Sequence, residues 1–329
     1  MPNYATSGTV LNYSGLLFNK GNTLTPFSTM IAGNRRVTNH VEFTTGQEYT
    51  TATGSQPEIS ETASLTAPEG TITTRTQNTN VTQIFQETVG VSYAKESNMG
   101  TLSGINVAGQ MANPASELDF QVASTMAKIA QDVEYTFING VYQKSTGDAV
   151  ANKSCGLVNA ITTNAIAAAG EKLTFMIICD AIKAIKDANG DTSNLVLGVD
   201  STQLMQINAD AIANDMTIVD ASRTINGIAV QTVLTPLGRI SIADMKYLPT
   251  GTALLFDPRY MAPVDQPVPG KGNFFMEDLA KVGAGTRKMI FGQLGLDYGP
   301  EWFSAKITGL STAMPTAKDM AKRVYQVSE

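Results

Sequence analysis

Few side chains in this sequence could activate a nucleophile, and the only histidine among its 329 residues is His40. A Ser-His or Cys-His pair would therefore have to include His40. The residues around it are rich in threonine and predict a projecting segment, whereas such a pair needs a rigid mutual geometry. We therefore expect His40 to be a solvated or contact-making polar residue rather than a catalytic base.

One pattern resembles a calcium-binding loop but is incomplete. Oxygen-bearing side chains alternate between Asp187 and Ser193, as they do in a loop that wraps a calcium ion. However, Thr192 occupies the position that requires glycine, and Gly198 occupies the position of the bidentate glutamate. The pattern favours a surface turn over a metal site.

The remaining candidates for chemistry are also incomplete. The glycine-rich stretch from Gly283 to Lys288 lacks the Gly-Lys-Ser/Thr sequence of a phosphate-binding loop. The acids Asp244, Glu277 and Asp278 do not by themselves define a cleft for acid–base catalysis. The sequence therefore predicts no catalytic residue, no metal site and no cofactor, and we expect a protein that is not an enzyme.

Composition narrows the functional classes further. Charged residues make up only 16% of the chain, and in soluble proteins they make up about a quarter, so we expect much of the surface to be buried against other copies. The net charge of −6 argues against a basic face that wraps nucleic acid tightly. Cys155 and Cys179 are too few for a disulfide framework and lack metal-ligand spacing, so we expect reduced thiols.

Neither a membrane span nor a secretory leader is predicted. Residues 175–179 are among the longest apolar runs, whereas a membrane-spanning helix needs about 20 apolar residues. Residues 1–9 lack the basic region and the apolar run of a signal peptide. We therefore expect a cytosolic protein.

The longest predicted element is a helix from Asn113 to Gly140. Asn113 is a favourable N-cap, Pro114 fits the first turn, and Gly140 is expected to end the helix in the left-handed conformation. Apolar residues recur every three or four positions at Leu118, Val122, Met126, Ile129, Val133 and Phe137. We expect this stripe to face a core.

The segments before this helix cannot bury much apolar surface by themselves. Residues 1–35 predict an extended arm with an apolar patch at residues 11–18. Residues 36–95 predict one long projecting β-hairpin, with fourteen threonines between positions 41 and 90. Because a two-stranded ribbon is marginally stable in water, we expect the hairpin and the arm to lie on a neighbouring molecule.

A compact α/β unit is predicted after the long helix, from about residue 155 to residue 260. Helices are expected over residues 172–188 and from Ser201, and strands over residues 195–199, 223–225, 228–230, 240–242 and 253–256. Asn226-Gly227 predicts a tight turn between two of these strands.

The C-terminal part predicts a connector followed by two strands. Residues 263–272 hold three prolines and two glycines, which is typical of a connecting segment. Residues 287–297 and 302–307 alternate as strands do, and residues 298–300 separate them. We expect these two strands to form an antiparallel pair.

Specific stretches resemble a known family, the SU10-type major head proteins: residues 81–90, 99–108, 113–120 (NPASELDF), 132–140 (DVEYTFING) and 276–283 (MEDLAKVG). The order of arm, hairpin, long helix, α/β unit and returning strands is similar to the Hong Kong 97-type fold of tailed-bacteriophage major capsid proteins. The resemblance covers nearly the whole chain. It implies an α+β fold with an N-arm, an extended β-hairpin loop, a peripheral domain with a long spine helix, and an axial α/β domain.

The resemblance also implies domain boundaries and contacts. The implied parts are the arm (1–35), the extended loop (36–95), the peripheral domain (96–154) with its spine helix (114–138), the axial domain (155–254), and the return to the peripheral domain with the tail (255–329). Subunit contacts are expected at Leu16, Leu17 and Phe18 of the arm, and at Glu48, Tyr49, Glu58, Glu61 and Arg75 of the loop.

The function implied by the resemblance is that of a major capsid protein. Copies would assemble as hexamers and pentamers into an icosahedral shell that encloses phage double-stranded DNA without sequence-specific binding. The virion would be assembled in the host cytoplasm, with scaffolding, portal and cement proteins as further partners and with no membrane. Two alternatives remain open: a nanocompartment shell of the same fold, and a cell-surface β-rich adhesin or hydrolase, which the threonine and asparagine content suggests.

The sequence also bears on how such a shell would be locked. Some capsids of this fold join a lysine of the extended loop to an asparagine of a neighbouring subunit. Here Arg75 is the only cation between residues 41 and 94, and a guanidinium group is not a usable amine nucleophile. We therefore expect a shell that is held together without covalent bonds between subunits.

Overall fold

The computed structural model describes residues 24–50, 54, 56–67, 70, 72–97, 117–214, 219–225 and 228–316. Several sequence predictions fall outside these residues: the apolar arm residues Leu16, Leu17 and Phe18, the helix start at residues 113–116, and the turn at Asn226-Gly227. The described residues form two large sheets and one two-stranded ribbon, together with the helices between them.

The bounds of the helices and strands are as follows. The helices are α1 (Pro26–Ile31), α2 (Glu61–Ser64), α3 (Tyr93–Ser97), α4 (Glu117–Asn139), α5 (Leu157–Ala160), α6 (Phe175–Asp187) and α7 (Ser201–Ala213). The strands are β1 (Arg36–Val37), β2 (Glu42–Tyr49), β3 (Arg75–Val81), β4 (Gln83–Ser92), β5 (Ala165–Ala167), β6 (Val196–Val199), β7 (Val219–Ile225), β8 (Ile228–Thr235), β9 (Gly238–Asp244), β10 (Ala253–Phe256), β11 (Ala262–Asp265), β12 (Phe274–Asp278), β13 (Gly285–Asp297) and β14 (Ala305–Thr308).

The long strand β13 organises a five-stranded sheet. It pairs in antiparallel fashion with β11, β12 and β4, and β1 adds a short parallel edge on β11. Along β4 the register runs from Gly285 opposite Ser92 to Leu294 opposite Gln83. The long helix α4 packs on this sheet, and the core between them includes Phe85, Ile129 and Phe137. This unit is the mixed helix-and-sheet arrangement that the sequence predicts.

The projecting hairpin is shorter than predicted. Only β2 and β3 form a two-stranded ribbon, with Glu42 opposite Val81 and Tyr49 opposite Arg75. Residues 83–92, which the sequence assigns to the hairpin, instead form β4 in the five-stranded sheet. The alternating pattern correctly predicts a strand with one buried face, since Phe85 is buried in the core. A period of two does not, however, identify the neighbouring strand.

A seven-stranded sheet forms the second unit, in the order β5-β14-β10-β6-β9-β8-β7. β6 and β9 are parallel, as are β14 and β5, and the other pairs are antiparallel. The buried core of this unit joins α6 residues such as Ile178 and Ile182 to β6 and β10 residues such as Leu197 and Leu255. The α6 helix and the strands at 196–199, 238–244 and 253–256 agree with the sequence prediction.

The prediction that the two C-terminal strands form an antiparallel pair is wrong. β13 belongs to the five-stranded sheet, whereas β14 lies in the seven-stranded sheet between β10 and β5. Glu301–Phe303 forms a 3-10 turn on the way. The chain therefore crosses from one sheet to the other after Asp297, and residues 305–308 do not return to the first sheet.

The long helix is buried mainly along its C-terminal half. Ile129, Val133 and Phe137 are buried as the stripe predicts, but Met126 is exposed and Val122 only packs against the edge of the core. The helix ends at Asn139, and Gly140 does not have the positive φ that the sequence predicts. A Cβ on Gly140 would lie 2.3 Å from the Ser154 carbonyl oxygen, so close backbone packing explains this glycine.

Candidate assembly surfaces

The base of the ribbon is fixed to the body by Asn80, whose side chain is wholly buried. Its amide nitrogen donates to the carbonyl oxygens of Leu296 (2.7 Å) and Cys155 (3.1 Å) and to Ser154 Oγ (3.2 Å). Its amide oxygen accepts the N–H groups of Cys155 (2.8 Å) and Val81 (2.9 Å). One side chain thus joins β3, β13 and the segment after the long helix.

Glycines allow the ribbon to approach β13 closely. A Cβ on Gly295 would lie 2.7 Å from the Phe43 ring and 2.9 Å from the Val81 carbonyl oxygen. A Cβ on Gly46 would lie 3.3 Å from the carbonyl oxygen of Gly299, which itself has a φ of +65°. The ribbon therefore contacts its own subunit at the Asp297 end of β13.

The tip of the ribbon lies between residues 50 and 74, and its described residues (50, 54, 56–67, 70 and 72–74) expose apolar side chains. Ile59, Leu65 and Ile72 are 68%, 85% and 91% exposed. Ser60 caps the short helix α2 by accepting the Ala63 N–H at 3.2 Å. A monomer gains nothing from three such exposed side chains, and exposed apolar clusters mark contact sites.

The five contact residues predicted in the extended loop lie on the ribbon or near its tip. Tyr49 pairs with Arg75 across the outer end of the ribbon, and both are exposed. Glu48 is opposite Thr76 on the neighbouring pair. Glu58 precedes α2, Glu61 begins it, and both are exposed. The structure thus places all five on one projecting element.

The segment that joins the arm to the body, residues 26–37, is held by buried carboxylates. Glu134 of the long helix accepts the N–H groups of Phe27 (2.8 Å) and Ser28 (2.7 Å). Because Glu134 is buried, its pKa is raised, and the hydrogen bonds from Ser28 and Phe27 oppose this shift. Phe27 also packs edge-on against Phe256, with ring centroids 5.1 Å apart.

Two ion pairs hold the end of the same segment. Arg35 lies 3.1 Å from Asp265, and Arg36 pairs with Asp297. Burial raises the pKa of both aspartates, and the nearby arginines partly offset the shift. The Asn34 side chain donates to the carbonyl oxygen of Pro258 at 2.7 Å. Residues 26–37 are therefore firmly anchored to the body.

Residues considered for chemistry are dispersed. His40 is exposed, and its Nδ1 lies 3.1 Å from the backbone nitrogen of Glu42. Asp191 accepts the Ser193 N–H at 2.9 Å, which lowers its pKa to about 2, and pairs with Arg259. Within the residues that the structure describes, no three acidic, histidine or cysteine side chains are grouped to hold a metal ion.

Two open clefts lie on the described part of the chain. A cleft of ≈ 720 Å³ lies at the C-terminal end of the long helix, between Tyr135, Asn139 and Lys153. Another, of ≈ 940 Å³, lies between Val37 and the turn at residues 266–272. Neither is lined by a described histidine or cysteine. No helix in the described part of the chain is both long and apolar enough to span a membrane.

Sequence reasoning missed Asn80 and Glu134, the two polar residues that fix the ribbon and the arm. A faint signal existed, since Glu134 directly follows Val133 within an apolar stripe and Asn80 directly precedes the apolar Val81. Their partners lie 107 and up to 216 residues away along the chain, so no local pattern identifies them.

A family model matches the chain, and several solved structures share its fold. The sequence model of the SU10 major capsid protein family matches residues 1–311. No curated protein matches the chain. The capsid asymmetric unit of cyanophage A-1(L) is similar in structure, with a TM-score of 0.64 at 12% sequence identity over 92% of this chain and 97% of that one.

Two further solved structures are similar. The holo-SrpI encapsulin complex of Synechococcus elongatus PCC 7942 has a TM-score of 0.60 at 10% identity, over 92% of this chain and 95% of that one. Gordonia phage Cozz has a TM-score of 0.57 at 12% identity, over 92% and 91%. These likenesses confirm the predicted α+β Hong Kong 97-type fold.

Proposed function

The chain belongs to the SU10 major capsid protein family and is a major capsid protein, and we propose that its copies close an icosahedral shell of hexamers and pentamers around double-stranded DNA. The structure of the ribbon is the observation that best supports a shell built from contacting copies. It is fixed to its own subunit at its base, whereas its tip exposes Ile59, Leu65 and Ile72. Such a tip gains its burial from a neighbouring copy.

The ribbon and the arm supply the proposed subunit contacts. On the ribbon these are Glu48, Tyr49, Glu58, Glu61 and Arg75, since all five lie on the projecting element. Leu16, Leu17 and Phe18 of the arm are proposed as contacts on their apolar character alone. The anchored segment at residues 26–37 would give the arm a fixed starting point.

We also propose the domain division. The unit built on β13 and α4 is the peripheral domain, the unit built on the seven-stranded sheet is the axial domain, and residues 1–35 are the arm, of which residues 26–35 are the part that joins it to the body. The structure suggests two amendments to the sequence boundaries: the extended loop is confined to residues 42–81, and residues 305–308 belong with the axial sheet. In the proposed shell, the axial domains meet at the centres of hexamers and pentamers.

As a major capsid protein, the chain is located in the virion, and we propose that it assembles in the host cytoplasm. Scaffolding, portal and cement proteins are the proposed partners. The net charge of −6 suits a wall that encloses DNA without sequence-specific binding. We propose no membrane partner and no enzymatic activity.

A nanocompartment shell of the same fold is the second candidate, favoured by the similarity to the encapsulin structure. The two differ in cargo. The decisive experiment is to isolate assembled particles, image them by negative-stain microscopy, and measure nucleic acid that survives nuclease treatment.

Uniform particles with protected DNA of genome length support the phage shell, whereas uniform particles that hold protein and no DNA support the nanocompartment. A monomer that stays soluble at all concentrations contradicts both.

A further inference from the structure

A mainly apolar groove of ≈ 320 Å³ runs between the helices α1 and α4, over the strands β12 and β13. Thr29 of α1 and Ala32, just after it, form one wall. Met126 and Ala130 of α4 form the other wall, and Phe274 of β12 contributes from below. Pockets that bind small ligands begin at about 300 Å³, so the groove has room for the side chains of a short docked segment.

The walls of this groove leave apolar surface uncovered. Met126 is 44% exposed, and Ala32 and Ala130 are exposed as well. Arg35 is the one charged residue of the described lining, and its charge is balanced by Asp265 at 3.1 Å. A charged segment would lose hydration here without gaining a partner, so the groove favours an apolar and uncharged occupant.

The N-terminal arm contains a segment of matching character. Residues 11–18, which we call the arm segment, read LNYSGLLF and carry no charge. Lys20 is the only lysine, arginine, aspartate or glutamate in residues 1–23. An apolar and uncharged segment of the chain therefore precedes an apolar and uncharged groove.

The chain connects the arm segment directly to one wall of the groove. Residues 19–25 separate Phe18 from the start of α1, and an extended stretch of this length spans about 25 Å. The start of α1 lies beside Glu134. Ala130 and Met126 lie one and two turns earlier on α4, about 6 Å and 12 Å along the helix axis. The tether is therefore long enough for the arm segment to turn back into the groove of its own subunit.

The tether also favours the subunit's own arm over other occupants. A segment joined by a short flexible linker has an effective concentration in the millimolar range, which exceeds that of a separate chain in dilute solution. The same apolar groove would therefore be filled first from within the chain.

We propose that the arm segment docks in the groove between α1 and α4 of its own subunit before assembly. Docking covers two apolar surfaces at once, which keeps unassembled subunits from associating through either of them. On assembly the arm segment leaves the groove to make the contacts proposed above for Leu16, Leu17 and Phe18, and this last step rests on the proposed function.

A disulfide trap tests the docked position. The variant carries Leu17→Cys in the arm segment and Ala130→Cys in the groove, and the purified full chain is oxidised below the concentration at which shells form. We expect a bond within one chain, seen in non-reducing gels as a band that runs ahead of the reduced 34.9 kDa chain. Its yield should stay constant over about a hundredfold dilution, because the reaction is intramolecular, and peptide mapping identifies the two cysteines.

Leu17→Cys with Ser124→Cys is the matched control for the trap. Ser124 is exposed on the same helix, six residues before Ala130, but helical spacing places it on another face. The control should give at least about tenfold less of the intramolecular bond.

Thiol labelling measures occupancy without a second cysteine in the groove. In the full chain, a maleimide should modify Leu17→Cys about tenfold more slowly than Ser7→Cys, which lies in the arm but outside the arm segment. Adding Ala130→Glu places a charge in the groove and should bring the rate at Leu17→Cys to within about twofold of that at Ser7→Cys. Circular dichroism confirms that each variant is folded.

The other occupants are distinct outcomes of these experiments. Bonds that form between chains would place a neighbour's arm in the groove, and the absence of a bond together with fast labelling would assign the groove to a separate partner. Either result overturns the proposal, and shells formed by the same protein would leave the capsid function intact. A wild type that never forms particles would contradict the capsid function, whereas a bond within one chain would still support the docking.

Discussion

Glu134 accepts the backbone N–H of Phe27 at 2.8 Å, although 107 residues separate the two along the chain. The same carboxyl group accepts the N–H of Ser28 at 2.7 Å. One buried side chain of the long helix thus satisfies two donors at the start of the short helix α1, where N–H groups have no partner within the helix. This relationship fixes the position of α1 against the long helix.

Removing that carboxyl group should destabilise the subunit. In Glu134→Ala the buried N–H of Phe27 and the part-buried N–H of Ser28 lose their acceptor, and an unsatisfied buried group costs about 1–3 kcal/mol, so we expect a loss of about 2–4 kcal/mol in the free energy of unfolding. Urea denaturation measures it. Ser124→Ala, at an exposed position of the same helix, should stay within about 0.5 kcal/mol. Equal stability of the two variants would contradict the anchoring role.

The pH dependence of stability follows from the raised pKa of Glu134. Between its ordinary value of 4.5 and the higher pKa of the folded state, the folded protein holds a proton that the unfolded chain has released. The contribution of this group is therefore present in full below pH 4.5 and is lost as the pH rises through the folded pKa. Glu134→Gln should reduce the decrease in unfolding free energy with rising pH, measured by urea titrations at a series of pH values. An unchanged decrease would show that Asp265 and Asp297, whose pKa values are also raised, account for the pH dependence.

Asn80→Ala should release the ribbon from the body. The change removes two N–H donors, which are shared among three acceptors, and one oxygen that accepts two hydrogen bonds, in a site closed to water. Leaving several buried partners unsatisfied should cost about 3–5 kcal/mol of unfolding free energy. Asn78→Ala, two residues earlier on the same strand, is the control and should cost less than about 1 kcal/mol. Similar losses in both would mean that the strand as a whole, not the buried amide, holds the ribbon.

Gly140→Ala should be among the most damaging single changes. Its Cβ would lie 2.3 Å from the carbonyl oxygen of Ser154 and 2.5 Å from that of Thr136, and both are backbone atoms that cannot move aside cheaply. We expect a loss of about 3 kcal/mol or more, measured as a fall in thermal midpoint. Gly147→Ala meets nothing within 4 Å and should be neutral. A neutral Gly140→Ala would show that the two backbone segments can separate.

Replacing the ribbon tip, residues 50–74, with a short Gly-Ser turn should separate folding from assembly. Ribbon pairing from Glu42 to Tyr49 is kept, and none of the described residues that are removed belongs to the core. We expect cooperative unfolding like that of the wild type but no particles in a sucrose gradient, since the apolar tip is lost. Loss of the cooperative transition would place the tip in the monomer core instead.

The shell should be free of covalent bonds between subunits. Arg75 is the only cation between residues 41 and 94, and burial raises the pKa of both cysteine thiols, which keeps them protonated and unreactive. Particles boiled in SDS under reducing conditions should run as one band near 34.9 kDa. A ladder of multiples that survives this treatment would point to a lysine outside the ribbon.

Local sequence determined the elements of this protein. The three-to-four-residue period of Ile129, Val133 and Phe137 predicts the long helix, and it is observed from Glu117 to Asn139. Alternation of apolar and polar residues predicts β4 and β13 as strands, and the Thr-rich stretch with little apolar surface predicts a ribbon. Both patterns can be recognised in the sequence because they involve residues that are neighbours along the chain. The family resemblance rests on local stretches as well.

Only the tertiary structure decided which elements meet. An alternating strand does not specify its partner, so residues 83–92 could be assigned to the hairpin by sequence although they pair with β13. The roles of Asn80, Glu134 and Gly140 were equally hidden. Each depends on backbone groups that are distant in sequence, and a buried donor or a close contact exists only once the chain has brought those groups together.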